Sequence, residues 1–484
     1  MLKNEDYLGK DAVELSAGIR AGNYSVAEVT ECAINRAEKV EPSIHSIVTE
    51  NFEQALVTAK KIDNSPEYLQ KSILAGFPFL IKDLSTVKGL PATFGSNLFK
   101  GNKASISSNI VQKYLNAGLN ILGLTNTPEF GLTLTTEPIA NGVTRNPWNL
   151  EYSTGGSSGG AAAAAVAAGI SPVAHATDGG GSIRIPAACC GLFGLKPSRG
   201  LTAIENKLSD SWSGMSVGHV VSQSVRDSAA FLDIIKLEQA SLFPLPAAPK
   251  SFFDKLGSET RSLKIGLQLQ HPLDQAIDND CLDGVKQAGM LCESLGHKVE
   301  EMNHPIDYGP VISAMSKLIN THIFQRVHAR IRQLDLTLNE ADLEASTRIV
   351  AKLGSEVNAV EFLQARDLLH AAEVTMAQFH QSCDIIVSPV LTKTPAKLGW
   401  LNMNSNDMKE YTQRFRQYSG FTSIYNGTGQ PSMSIPLHRS ATGLPVGVMF
   451  TGPWGSDQLL LDLASQLEQS QPWPRYVSNV QEAA

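Results

Sequence analysis

Two glycine- and serine-rich runs stand out as places where chemistry could occur: Gly155-Gly-Ser157-Ser158-Gly-Gly160 and Gly179-Gly180-Gly181-Ser182. Glycine at this density costs backbone entropy, so it marks turns or close approaches of backbone to another group. A Gly-Gly-Gly-Ser run can aim several N–H groups one way, a nest that binds an anion or a developing oxyanion. Lys82 is the most informative single residue. It ends the apolar run Phe77-Pro-Phe-Leu-Ile81. Apolar surroundings disfavour the ammonium form and would let the amine act as a base near neutral pH. Each feature also has a plainer reading when taken alone. The runs can be flexible loops, and Lys82 can be a strand-end residue that reaches water or pairs with Asp83.

Other chemistries fit these residues less well. Gly191-Leu-Phe-Gly-Leu-Lys196-Pro197-Ser198 is not a phosphate loop, because its lysine does not follow glycine and Pro197 removes a donor. The Gly-x-Ser-x-Gly elbow matches around both Ser157 and Ser158, but it needs an apolar strand before it. Asn149-Leu-Glu-Tyr-Ser-Thr154 is a poor strand. Ser85-Thr-Val-Lys88 satisfies Ser-x-x-Lys, yet Gly89 and Pro91 would cut short the helix it needs. His175 is a conceivable base for Ser182 and more simply a structural residue. Cys190 has no evident base beside it. Asp278, Asp280 and Asp283 lack the glycine of a calcium loop and read as a solvated helix start. The histidines form no His-Glu-x-x-His pattern and the cysteines no Cys-x-x-Cys pair, so no metal or cofactor is expected.

The elements that must position these groups alternate in type. Ser25-Val-Ala-Glu28 is a capping box opening an amphipathic helix toward Pro42. Phe77 to Ile81 reads as a buried strand, 109–117 as a helix and 120–124 as a strand. Ala161 to Ala168 reads as a helix, and Ser224 opens another through Ile235. Residues 237–262, with Pro244, Pro246 and Pro249, read as a surface connection. Strands follow at 263–269, 385–387 and 446–450. Helices follow at 281–295, onward to about His380, and at 457–468. Helix and strand in alternation imply an α/β fold with a partly parallel sheet.

Composition sets the outer bounds. The chain has 484 residues, 42% hydrophobic and only 18% charged, with a net charge of −7. Length alone suggests about three domains, but large α/β enzymes often form one unit, and residues 1–484 are expected to form one. No Lys/Arg stripe marks a nucleic-acid surface. No apolar run is long enough to cross a membrane, and the N-terminus lacks the apolar core of a secretory signal. The six cysteines read as free thiols in a reducing cytoplasm.

Taken together, the motifs say more. Gly76-Phe-Pro-Phe-Leu-Ile-Lys82-Asp83, Thr125-Asn-Thr-Pro-Glu129, Asn146-Pro-Trp-Asn149, Gly155 to Gly160, Asp178-Gly-Gly-Gly-Ser-Ile-Arg184-Ile-Pro186 and Gly191 to Pro197 stand in this order. In that order they resemble the amidase signature family, as do Tyr425 to Pro431 and Gly443 to Gly447. The resemblance spans nearly the whole chain. It implies one large mixed β-sheet flanked by helices on both faces, and an enzyme that hydrolyses amides through a Ser-Ser-Lys triad. Ser182 matches the nucleophile, Ser157 the bridging serine and Lys82 the base. Ser157 and Ser182 stand 25 residues apart, one more than is usual in the family, which keeps Ser158 as an alternative bridge. The 75-residue separation of Lys82 and Ser157 favours Ser157. The resemblance further implies a cis Gly156–Ser157 bond, an oxyanion hole from the amides of Gly179, Gly180, Gly181 and Ser182, and Gly131 in the substrate pocket. Thr135 to Pro138, Arg145 to Leu150 and Ser171 to His175 look most like bacterial general amidases, among them aminohexanoate cyclic-dimer hydrolase. That hydrolase has alanine where Gly179 or Gly180 stands, so its substrate is not carried over. The partner expected is a small-molecule amide, with a homodimer left open. A glutamine-hydrolysing subunit of a tRNA-dependent amidotransferase and a non-catalytic scaffold are the competing readings.

Overall fold

Strands with no polar alternation are expected to be covered on both faces, and the strand that ends in Lys82 is. The computed structural model describes residues 2–158, 160–203, 211–237, 248–257 and 261–480. Its strands are β1 (Ile47–Glu50), β2 (Pro78–Lys82), β3 (Asn120–Thr125), β4 (Arg145–Asn146), β5 (Asn149–Ser153), β6 (Val173–Asp178), β7 (Phe193–Lys196), β8 (Val217–Ser222), β9 (Lys264–Leu267), β10 (Lys298–Glu301), β11 (Ile385–Pro389), β12 (Ser432–Arg439) and β13 (Pro445–Thr451). Every residue of β2, β3, β6, β7, β8, β11 and β13 is buried.

The fold is mixed α/β. Eight strands form one mixed sheet in the order β10-β9-β11-β13-β12-β7-β8-β6. Its β10-β9-β11 end is parallel and the rest antiparallel. Helices cover both faces. On β13, a Cβ at Gly447 would touch Ala188 of the helix Arg184–Cys190. A Cβ built on Gly284, in the helix Asn279–Ser294, would lie 3.5 Å from the next residue, Val448. Successive strand residues point to opposite faces, so these two helices lie on opposite sides.

A smaller sheet lies beside the large one. Lys82 ends a strand of a separate three-stranded sheet, β1-β3-β2. No ladder joins β2 to β6, although the two pack together. At their junction the Lys82 N–H donates to His175 Nδ1 at 3.3 Å instead of to a neighbouring carbonyl. A side chain on β6 thus occupies the place a ladder bond would take.

The helix caps follow the sequence closely. Ser25 and Glu28 form the capping box of the helix Val26–Ile44, which runs past Pro42 by one half-turn. Ser224 caps Val225–Ile235. Asp278 stands exposed before Asn279–Ser294, the solvated helix start expected. The segment 149–154, read as a poor strand, contains β5. Its backbone finds partners in β4 and in Ala396 rather than in the large sheet. Within the expected surface connection, 238–247 and 258–260 lie outside the described residues. The described part turns inward at Phe252, which is buried, and the Asp233 carboxylate accepts from the Phe252 and Phe253 amides.

Two glycines let the helix Arg184–Cys190 sit close on the sheet. An added Cβ would lie 2.5 Å from Ala188 at Gly447, and 2.6 Å from Ala187 at Gly194. Gly447→Val is expected to lower stability by about 1–3 kcal/mol through overpacking, read from the urea midpoint. It should also displace the Ser182 loop, because this helix begins two residues after Ser182.

Candidate active site

The site forms where β2 and β6 end side by side. The apolar β2 carries Lys82 inward, fully buried, and β6 ends in Thr177 and Asp178. Lys82 Nζ donates to Thr177 Oγ1 at 3.1 Å and to Ser157 Oγ at 3.2 Å. Ser157 Oγ donates to Ser182 Oγ at 2.9 Å. An amine and two hydroxyls therefore stand in one hydrogen-bonded line. Lys82 and Ser157 are buried, while Ser182 is partly exposed. The Gly156–Ser157 bond is cis.

The neighbouring serine faces elsewhere. Ser158 Oγ lies between two carbonyls that its one proton can reach, that of Ser182 at 2.6 Å and that of Thr177. It therefore ties the two loops together, and Ser157 alone of the pair stands between Lys82 and Ser182. Gly131 lies directly against that line. Its φ is +72°, and an added Cβ would sit 2.8 Å from Ser157 Oγ.

The loop bearing Ser182 is shaped by Asp178. The Asp178 carboxylate accepts from the Gly181 and Ile183 amides at 2.7 and 3.1 Å. It also accepts from Arg184 Nε and Nη2, both at 2.9 Å, and from Asn426 Nδ2 at 2.9 Å. Arg184 in turn donates to the Thr422 carbonyl, Ser432 Oγ and Asn426 Oδ1. Both ions are fully buried. Burial alone would raise the Asp178 pKa. The Arg184 guanidinium outweighs it, helped by Lys196 and Asn426, and holds the carboxyl well below the usual range. This geometry trims the expected oxyanion hole. The Gly181 amide is spent on Asp178. The amides of Gly179, Gly180 and Ser182 meet no protein acceptor among the described residues. Gly180 is partly exposed, and no described atom lies within 4 Å of a Cβ built on it.

Other sequence candidates fall outside this line. His175 is not beside Ser182; its Nδ1 takes the Lys82 N–H. Burial, with a smaller push from the Lys82 charge, brings its pKa down to about 3, so the ring is neutral at ordinary pH. Cys190 is buried with its thiol pKa pushed well up by burial and by Cys189, the opposite of an activated nucleophile. Thr177, Asp178 and Arg184 carry much of the geometry but had no role from sequence. The usable signal was an acid at a strand end, immediately before a glycine run, with a base six residues on.

Asp178→Asn should leave Arg184 buried without its counter-charge and cost about 3–5 kcal/mol, measured by urea denaturation. Because the folded pKa is depressed, Asp178 contributes stability above the unfolded value of about 3.9. That contribution is lost as pH falls below it. The stability gap between wild type and variant should therefore narrow in acid.

The chain has clear counterparts among known proteins. A family model described as Amidase matches residues 28–461. The 6-aminohexanoate-cyclic-dimer hydrolase of Paenarthrobacter ureafaciens is 32% identical over 483 residues, 96% of each chain. Among solved structures, a 6-aminohexanoate cyclic dimer hydrolase superposes with a TM-score of 0.89 at 31% identity, covering 98% of this chain and 99% of that one. A bacterial aryl acylamidase of the amidase signature family superposes with a TM-score of 0.84 at 26% identity, over 96% of both chains. No helix among the described residues is long and apolar enough to cross a membrane. The chain belongs to the amidase family, enzymes that hydrolyse amide bonds.

Proposed function

We propose that this enzyme hydrolyses a carboxylic amide to an acid and an amine or ammonia, through an ester formed on Ser182. The observation that carries the reading is the continuous line from Lys82 Nζ through Ser157 Oγ to Ser182 Oγ. Neutral Lys82 accepts the Ser157 proton while Ser157 accepts that of Ser182. The freed Ser182 oxygen attacks the amide carbon. The carbonyl oxygen becomes an oxyanion and meets the amides of Gly179, Gly180 and Ser182, which are fixed before the reaction begins. As the intermediate collapses, the C–N bond breaks, and Ser157 hands a proton to the departing nitrogen and is reprotonated by Lys82. Water then attacks the acyl-enzyme by the same relay, releasing the acid and restoring Ser182.

The burial pattern supports this division of labour. A nucleophile must be reachable, and Ser182 is partly exposed. A lysine serving as base must shed its proton, and Lys82 is fully buried at the end of an apolar strand. Gly131 leaves room for Ser157 Oγ to shift between its two partners.

Ser182→Ala is expected to lower hydrolysis of simple amides more than about 1000-fold, and a fluorophosphonate should label Ser182 in the wild type. Labelling at Ser158, or wild-type turnover in Ser182→Ala, would sink the reading. Gly131→Ala should lower kcat about 100-fold with the fold intact, since its methyl displaces Ser157 Oγ. Unchanged kcat would remove Gly131 from the site.

A further inference from the structure

Trp212 lies against the loop that holds Ser182. A Cβ on Gly179 would sit 2.7 Å from Trp212 Cε3 and 2.8 Å from Cζ3, so the indole covers the face of Gly179. The ring is partly exposed, as are Gly180 and Ser182. Its backbone is unusual. Ser211, Trp212 and Ser213 have φ of 31°, 54° and 56°, three consecutive non-glycine residues in the left-handed region, each costing energy to hold there. Such a run persists where its surroundings over-determine it, and it clusters at ligand-binding sites. Ser213 Oγ lies 3.0 Å from His322 Nε2, on the helix Tyr308–Leu334. The Met215 amide closes back on the Trp212 carbonyl.

Trp212 and Ile319 pack against both the main core and a small apolar cluster that contains Phe99, Phe130 and Ile323. Phe130 precedes Gly131, the residue against Ser157 Oγ. One apolar surface thus reaches both glycines that flank the reacting serines. The two ends differ in what they can meet. The leaving nitrogen must face Ser157, which returns its proton, so Gly131 borders the amine side. The acyl group then extends away from Ser157 and Gly131, toward the indole that stands beside Gly179.

Resting on the amidase reading above, we propose that Trp212 is a specificity-determining residue, the apolar wall against which the substrate's acyl group packs. The preferred substrates are then amides of extended apolar or aromatic acids, over amides of short or charged ones. An aromatic face supplies apolar contact at little conformational cost, and each methylene placed on it adds to the discrimination in kcat/KM.

The test compares hexanamide with acetamide, using the full-length protein. Wild type should favour hexanamide in kcat/KM. Trp212→Ala should lower the hexanamide-to-acetamide ratio by about tenfold or more, and Trp212→Phe should keep most of it. Melting curves check that each variant folds. If the alanine variant does not fold, Trp212→Leu and Trp212→Phe give the same comparison. A ratio unchanged within about twofold, or a wild type that prefers acetamide, overturns the proposal. So does a Trp212 effect that follows the amine part, read with N-methylhexanamide. A short-chain fluorophosphonate separates the two layers of the argument. Labelled Ser182 with an unchanged ratio removes the wall alone; no labelling in the wild type removes the triad reading and the wall with it.

Discussion

The buried Asp178–Arg184 pair is the constraint on which the site depends. Two opposite charges out of water require nearly all their hydrogen-bonding capacity to be met inside the protein. Asp178 meets it with the Gly181 and Ile183 amides and the Asn426 side chain. These bonds bend the chain around the carboxylate and leave Ser182 at the outer edge of the turn. Arg184 meets its share on Thr422, Asn426 and Ser432, some 240 residues further along the chain. Chain segments that are distant in sequence are thereby locked onto one loop. The glycine run is what makes so tight a wrap available: Gly181 has a φ of +133°, and its Cβ position is filled by Thr422.

A second constraint brings the amine to the serines. Lys82 belongs to the three-stranded sheet and Thr177 to the eight-stranded one, so the hydrogen-bonded line crosses a seam between sheets. His175 closes that seam by accepting the Lys82 amide, and Tyr114 packs edge-on against its ring. A neutral imidazole suits this task, since a buried imidazolium beside Lys82 would repel it. Positioning thus rests on neutral acceptors near the lysine and on an ion pair near Ser182. The two arrangements do not place like charges together.

Local signals in the chain translated well into local structure. Ser25 and Ser224 cap helices because the bonds they make reach only three residues ahead. The apolar run before Lys82 is a strand because no polar residue interrupts it. Several core strands gave no such signal. Val173-Ala-His-Ala-Thr-Asp178 and Val217-Gly-His-Val-Val-Ser222 mix small, polar and apolar residues, yet every one is buried. With both faces covered there is no period-2 pattern to read. Their polar groups are met by partners far away in sequence, such as Lys82 for Thr177. Asn149 to Ser153 failed the opposite way: a polar segment became a strand because a short hairpin and Ala396 satisfy its backbone at the surface.

What the sequence determined by itself was the set of chemical groups: two serine-bearing glycine runs, a lysine after an apolar run, and an ordered series of motifs that marks the family. Residue type and order are enough for that, because they set which side chains and backbone freedoms exist. Spacing from Lys82 favoured Ser157 over Ser158, but spacing along a chain does not say which way a hydroxyl turns. The tertiary structure turned Ser158 toward carbonyls and Ser157 toward Ser182. It likewise gave the Gly181 amide to Asp178, His175 to the Lys82 backbone, and Trp212 a place over Gly179. Each of these outcomes depends on groups from different elements competing for the same few ångströms, and only the packed fold decides that competition.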